Sequence, residues 1–357
     1  MTDLSTPPAV DLSPQVLAPR LSAYLASTWG RPVVLDAWRR YPAGMSWITI
    51  GFIARLPAQG GDPEETRDLI LRIGDPTGLL APYRAEPEAL VLTALGGIAG
   101  LPVPPVYASS DDYGVIGAPF LVTGRIEGDT PMPWKGAAAA RGEAQNISLG
   151  NDFVDALAAI HTFDWHATPL VALWRDATPQ DVARAQVRTW SRHAGLGTPA
   201  HGAAWPLMHY AMRWLEHRAP VAEQVTIVHG DYRVGNFLQK DGRITAILDW
   251  ELMHAGDPHE DIAWAGLRTF SAGTTRIGGL IEREDFYKRY AQRTGFTVRP
   301  EVVRYYEVLV QFKMAALLVG AMHRVAGGAA QDVRMAAMGF QLAPALLELD
   351  RLIGEAA

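Results

Sequence analysis

Apolar and polar positions follow two regimes along this chain. Between residues 33 and 126 short runs with a period near two prevail. VVLDAWRRY, SWITIGFIARL, DLILRIG, VPPVYAS and APFLVTGRI each read as a strand, with a Gly44-centred turn and an exposed loop at 57–67 between the first three. Two helical patterns accompany them. SPQVLAPRLSAYLAS places apolar residues at helical spacing behind Ser13 as N-cap and Pro14 at the first helical position, and PEALVLTALGG stops at Gly96-Gly97. From FVDALAAIHTF onward the period lengthens to that of helices. DVARAQVRTWSRH, AAWPLMHYAMRWLEHR, DFYKRYAQRTG, VVRYYEVLVQFKMAALLVGAMHRV and VRMAAMGFQLAPALLELDRLI follow in turn. The pattern predicts an α+β chain with a β-rich first part ending near 128 and a mainly helical remainder. Residues 1–15 read as a flexible tail, and AAAARG at 137–142 as a mobile connection.

One stretch interrupts the helical half: IVHGDYRVGNFLQKDGRITAILDWE, residues 227–251. Asp241-Gly242 between two apolar runs is a pair that closes a two-residue hairpin, because both positions tolerate positive φ. The register then puts Lys240 opposite Arg243, Phe237 opposite Ala246 and Asn236 opposite Ile247. Residues two apart share a face, so Asn236 and Asp249 project together at the open end. An amide oxygen and a carboxylate on one face suit Mg²⁺, a hard ion that takes a few protein oxygens and completes its shell with phosphates and water. Asp231, five residues before Asn236, is placed to take the proton of an attacking hydroxyl, and Arg233 to screen developing phosphoryl charge. Taken singly, each of these is an ordinary turn or cap residue. Their joint spacing reproduces the division of labour between a kinase catalytic loop and its metal-binding loop.

Composition narrows the class. With 357 residues, 48% hydrophobic and 20% charged, the chain can bury the cores of roughly two domains. A net charge of −6 without like-charge blocks argues against nucleic acid or an anionic membrane surface as partner. With no cysteine there is neither disulfide nor thiolate site, which fits a reducing compartment. The N-terminus lacks the basic and apolar regions of a secretory signal. AALLVGAM, flanked by Lys313 and His323-Arg324, is far shorter than a membrane span and reads as a core helix. The expected location is the cytoplasm. Neither a GxSxG elbow nor a Walker A run occurs, which disfavours a hydrolase or a P-loop kinase. His254, His259 and Glu260 lack HExxH spacing. DPHE at 257–260 reads instead as a capping box with Asp257 at the N-cap and Glu260 reaching back. His161, on an amphipathic helix, reads as a satisfied core histidine.

HGDYRVGNFL and ILDWE resemble the HGDxxxxN and LDxE signatures of the aminoglycoside phosphotransferase superfamily of small-molecule kinases. GDPHEDIAW, GAPFLVTGRIEG and DALAAIHTFDW resemble segments of its acyl-CoA-dehydrogenase-associated branch. The resemblance runs from about 35 to 325. It implies a bilobal protein-kinase-like fold, with a nucleotide-binding N-lobe at 16–127 and a C-lobe at 128–357 that carries the catalytic loop, metal loop and acceptor-binding helices. It implies ATP, or GTP, as donor, Mg²⁺ as cofactor and a small-molecule hydroxyl as acceptor, with Asp231 as base and Asn236 and Asp249 on the metal. Arg233 falls where protein kinases carry the catalytic-loop lysine, and His229 takes a structural role.

The same resemblance assigns the nucleotide side. Arg72, on the alternating strand DLILRIG, is the candidate phosphate cation, where the wider superfamily more often has lysine. Glu88 is its partner, with Glu86 competing; either also reads as a first-turn acid favoured by the helix dipole. AGMSWI at 43–48 would cover the phosphates through the backbone of Met45 and the hydroxyl of Ser46, and backbone near Gly124 and Ile126 would meet the base. Asp261 matches a carboxylate that braces the catalytic loop. Residues 255–357 hold 12 acidic and 12 basic side chains, a balance that leans away from polycationic acceptors and toward a neutral or apolar one such as a hydroxyacyl-CoA. An antibiotic phosphotransferase and a non-catalytic nucleotide-binding module are the competing readings. Oligomeric state is not legible.

Overall fold

A computed structural model describes residues 11–42, 44–131, 142–198, 205–271, 273–330 and 332–356. The expected tail (its first ten residues), Ala43 of the turn and the connection at 137–141 lie outside them. The described chain forms two compact units. The first comprises residues up to 93, 104–125 and 324–336; the second comprises 94–103, 126–323 and 337–357.

In the first unit α1 (Pro14–Trp29) begins behind Ser13 with Pro14 at its first position, as the sequence predicts, and stops at Gly30 in the left-handed region, φ +70°. Strands β1 (Val34–Tyr41), β2 (Trp47–Leu56), β3 (Glu65–Gly74), β4 (Val106–Ser110) and β5 (Phe120–Gly124) form one antiparallel sheet in the order β1-β2-β3-β5-β4. β3 begins at Glu65, so the exposed loop ends three residues earlier than expected. Period-two alternation along β3 buries Leu69, Leu71 and Ile73 in a core with Leu17, Leu21 and Leu25 of α1, and this sends Asp68, Ile70 and Arg72 to the other face. Helix α2 (Glu86–Leu95) and the single turn α3 (Tyr113–Ile116) complete the connections.

The second unit is mainly helical: α4 (Glu143–His161), α5 (Val182–His193), α6 (Pro206–Arg218), α7 (His259–Ala265), α8 (Arg283–Thr294), α9 (Pro300–Ala326), α10 (Val333–Met338) and α11 (Leu342–Ala356) appear in chain order, with the end of α9 and α10 as far as Ala336 assigned to the first unit. The fold is the bilobal, kinase-like one: a small β-sheet lobe and a larger helical lobe. The last predicted helix is broken into α10 and α11 by a 3-10 turn at Gly339–Gln341. AALLVGAM belongs to the 27-residue α9, which is long and apolar enough to cross a membrane; 67% of its most apolar window is buried inside the chain, with Gln311 and Lys313 buried in its middle.

Two small ladders carry the segment at 227–251. β6 (Thr226–Val228) pairs with β9 (His254–Gly256), and β7 (Phe237–Lys240) pairs with β8 (Arg243–Ile247). Asp241 and Gly242 have φ +52° and +76°, as the turn chemistry requires. The expected register holds at Lys240–Arg243 and then slips: Phe237 pairs with Ile247 and Leu238 with Ala246, because Thr245 is an extra residue on β8. The cause is local. The Gln239 backbone exchanges two hydrogen bonds with Asp129, and the Thr245 hydroxyl donates to the Glu127 carbonyl. At Gly128 a Cβ would stand 2.8 Å from both the Gln239 carbonyl oxygen and Thr245 Oγ1, so only glycine permits this approach.

Candidate functional site

The loop between β6 and β7 is held from three sides. Tyr232 stacks on Phe153 of α4 with ring centroids 4.4 Å apart and donates its hydroxyl to the Phe153 carbonyl at 2.6 Å. Asp261 of α7, fully buried, accepts the backbone N–H of His229 at 2.7 Å and of Gly230 at 2.9 Å. His161 of α4 donates from Nε2 to Asp261 at 3.2 Å and accepts the Tyr290 hydroxyl at Nδ1, so it is the satisfied core histidine expected. These donors hold the Asp261 carboxyl below its usual range despite the burial that opposes them. His229 donates from Nε2 to the Leu248 carbonyl and accepts the Asp231 N–H at Nδ1. Both ring nitrogens are thereby committed, which fits its structural role and ties the loop to the chain after β8.

Asp231 stands at the centre of this arrangement, its side chain 15% exposed. Oδ1 accepts Arg233 Nε at 2.8 Å and the indole N–H of Trp264 at 2.5 Å; Oδ2 accepts the Asn236 amide at 2.5 Å. Burial raises the affinity of this carboxyl for a proton, the Arg233 guanidinium opposes that, and the negative charge of Asp249 adds to it. With the Thr245 bulge, a regular strand would turn the Asp249 side chain to the face opposite Asn236. Beyond the end of β8 at Ile247 the backbone instead turns at Asp249 with φ +68°, in the left-handed region, so the regular alternation does not carry on to this side chain.

The residues fit a divalent cation. The Asn236 nitrogen is turned to Asp231, so its carbonyl oxygen is the atom that could face a cation, and the charge of Asp249 adds to the burial that disfavours an ionised Asp231. Among the described residues no group of three or more histidine, aspartate or glutamate side chains gathers around a metal position. Arg233 lies along Asp231 with its guanidinium carbon 4.6 Å from the Phe270 ring centroid.

In the first unit Arg72 and Glu88 form a salt bridge, the glutamate buried on α2 and the arginine 5.1 Å from the Trp47 ring centroid. Glu86 is exposed, so the competition between the two glutamates is decided by which face of α2 meets β3. Met45 and Ser46 line a cavity of about 380 Å³ with Trp47, Asp75, Thr77 and Arg334. The Met45 carbonyl accepts the Leu79 N–H, and Arg334 donates to the Pro42 carbonyl, which fixes the turn on both sides. Gly124 ends β5 with its N–H donated to the Pro105 carbonyl, and Ile126 opens the second unit.

The capping box is corrected. The Asp257 side chain accepts the His259 N–H, but Glu260 does not reach back. It is buried between Lys313 of α9 and His254, and these partners bring its pKa down to about 2. Sequence reasoning also missed Trp264. Its signal is the spacing on α7: residue 264 is three after Asp261 and four after Glu260, so all three share one face.

Comparison with known proteins places this geometry. The profile of the phosphotransferase enzyme family matches residues 61–305. Mouse acyl-CoA dehydrogenase family member 10 is 30% identical over 74% of this chain and 25% of its own length, and chicken acyl-CoA dehydrogenase family member 11 is 30% identical over 69% and 32%. The chain thus spans a quarter to a third of these curated relatives. Among solved structures, a Ralstonia eutropha protein assigned as an aminoglycoside phosphotransferase superposes with a TM-score of 0.70 at 22% identity, over 94% of this chain and 98% of that one. A thermostable mutant of aminoglycoside phosphotransferase APH(4)-Ia in ternary complex with AMP-PNP and hygromycin B gives 0.58 at 17% identity, over 95% and 99%.

Proposed function

Because the chain belongs to the phosphotransferase enzyme family, we propose that it is a small-molecule kinase that moves the γ-phosphoryl of ATP, or GTP, to an acceptor hydroxyl, with Asp231 as the base. The observation that carries this reading is the contact of Asp231 with Asn236 inside the field of Asp249. In that role the acceptor O–H bond breaks toward Asp231 while its oxygen bonds to the γ-phosphorus and ADP leaves with the bridging oxygen. Asn236 and Asp249 would hold Mg²⁺, which would supply positive charge against the phosphates. Arg233 steadies Asp231 and adds positive charge beside the transferring group. Arg72, braced by Glu88, takes the phosphates with Met45 and Ser46, and backbone at Gly124 and Ile126 takes the base.

The two relatives named for acyl-CoA dehydrogenases, together with the balanced charge of residues 255–357, favour the acyl-CoA-dehydrogenase-associated branch and a hydroxyacyl-CoA acceptor over a polycationic antibiotic. The test is acceptor-stimulated ADP release across hydroxyacyl-CoA, sugar, amino-alcohol and aminoglycoside panels, with Asp231→Ala as control. Stimulation by a hydroxyacyl-CoA that Asp231→Ala abolishes is the expected result. A steep preference for an aminoglycoside would make the protein a resistance enzyme. Nucleotide binding without turnover on any acceptor would leave a binding module and sink the assignment.

A further inference from the structure

Trp264 carries more than packing. Its ring is fully buried, and its N–H ends on Asp231 Oδ1 at 2.5 Å. The Arg233 Nε–H ends on the same oxygen at 2.8 Å. A carboxylate oxygen has two lone-pair sites, so these two donors saturate Oδ1. Among the described residues Oδ2 has one side-chain donor, the Asn236 amide, which leaves it a second lone-pair site. The base is therefore asymmetric, and Trp264 is half of what makes it so.

The indole is itself seated by charge. Lys313 Nζ lies 5.2 Å from the centroid of the Trp264 ring and 5.2 Å from that of Trp190, and it is paired with Glu260, one turn before Trp264 on α7. Lys313 is wholly buried, and a desolvated cation over an indole face is attracted to it, which helps to hold the Trp264 ring in place. Burying this cation is costly, and its pairing with Glu260 and its place against the two tryptophans offset that cost. Packing alone would be served by an apolar side chain at position 313.

We propose that Trp264 is a positioning residue for phosphoryl transfer, holding Asp231 so that Oδ2, and not Oδ1, receives the proton of the acceptor hydroxyl. This rests on the kinase reading above. When the acceptor oxygen bonds to the γ-phosphorus and the bond to the ADP oxygen breaks, the acceptor proton moves to Oδ2, from which solvent removes it after ADP departs. Without the indole donor Oδ1 keeps only Arg233, so the carboxylate is held less firmly about its Cβ–Cγ bond and the productive geometry is populated less of the time.

The experiment replaces Trp264 by β-(3-benzothienyl)alanine, introduced by amber suppression, which keeps the bicyclic shape and puts sulfur where the N–H was; Trp264→Phe is the second variant. ADP release is followed with a 4-hydroxyacyl-CoA as acceptor probe and, in parallel, with water. The expected result is a kcat lower by roughly 10–50-fold, a share of the ~10²–10⁴ that a positioned base contributes, with KM for ATP within about twofold and the melting temperature of the benzothienyl protein unchanged. A folded benzothienyl protein with kcat within about twofold of the parent overturns the proposal. A parent that transfers phosphoryl to neither probe overturns the kinase reading on these probes, and the role of Trp264 with it.

Discussion

The Asp261 carboxylate accepts the backbone N–H of Gly230 at 2.9 Å, with its other oxygen on the N–H of His229, so one side chain of α7 fixes the direction of the loop that leads to Asp231. Asp261→Ala leaves two buried amide protons and the His161 imidazole without their acceptor. The expected cost is about 3 kcal/mol of stability, read as a lower urea midpoint, because each orphaned buried donor costs about 1–3 kcal/mol. Asp261→Asn, which keeps one acceptor oxygen, should fall between.

Gly230 adopts φ +84°, and a Cβ there would lie 2.4 Å from the Leu252 carbonyl oxygen. Gly230→Ala must therefore both strain the backbone and push apart the loop and the segment after Asp249. An expected loss of more than about 2 kcal/mol follows from strained φ and overpacking together. Thermal melting of the purified variant checks it; a melting temperature equal to the parent's would refute the packing described.

The Glu260–Lys313 pair makes stability depend on acid. The folded pKa of Glu260 is about 2, against an ordinary value of 4.5. A depressed folded pKa means stability that is present above pH 4.5 and is lost as pH falls toward 2, in total on the order of 3 kcal/mol. Urea midpoints between pH 5.5 and 2.5 should therefore fall less steeply for Glu260→Gln than for the parent. That variant starts lower at every pH, since it leaves the Lys313 charge buried without its counter-ion. Parallel slopes would refute the assignment.

Arg72 meets Glu88 through a guanidinium that also lies against Trp47. Arg72→Lys keeps the charge but loses the planar fork and much of the ring contact. The expected outcome is a KM for ATP raised by roughly 10-fold, the equivalent of about 1.4 kcal/mol, with a smaller effect on kcat. Steady-state kinetics at saturating acceptor separates the two; an unchanged KM would place the phosphate contact elsewhere.

Much of this molecule is legible in its sequence because burial writes itself as period. The alternation of DLILRIG fixes which face of β3 carries Arg72, and Asp241-Gly242 fixes the hairpin turn. What is hidden is hidden for physical reasons. The Thr245 bulge answers to Asp129 and Glu127, more than a hundred residues away, and turn chemistry carries no trace of them. Lys313 beside an apolar run gives no sign of its own burial, which Glu260 and two tryptophans from elsewhere in the chain make tolerable. Glu260 in turn imitates a capping glutamate, because DPHE has the right spacing for one. The donors to Asp231 show the same limit: Asn236 is five residues away and visible by spacing, while Trp264 arrives from another helix.

The extra residue on β8 also sets the parity of everything downstream of it. Excising Thr245 would rotate the strand by half a period, exchange inward for outward at each subsequent position, and present the tail of the hairpin to its surroundings as a mirror-phase copy of itself. The length of this hairpin and the corner at Asp249 are therefore coupled: deleting one residue from the first obliges a change in the second.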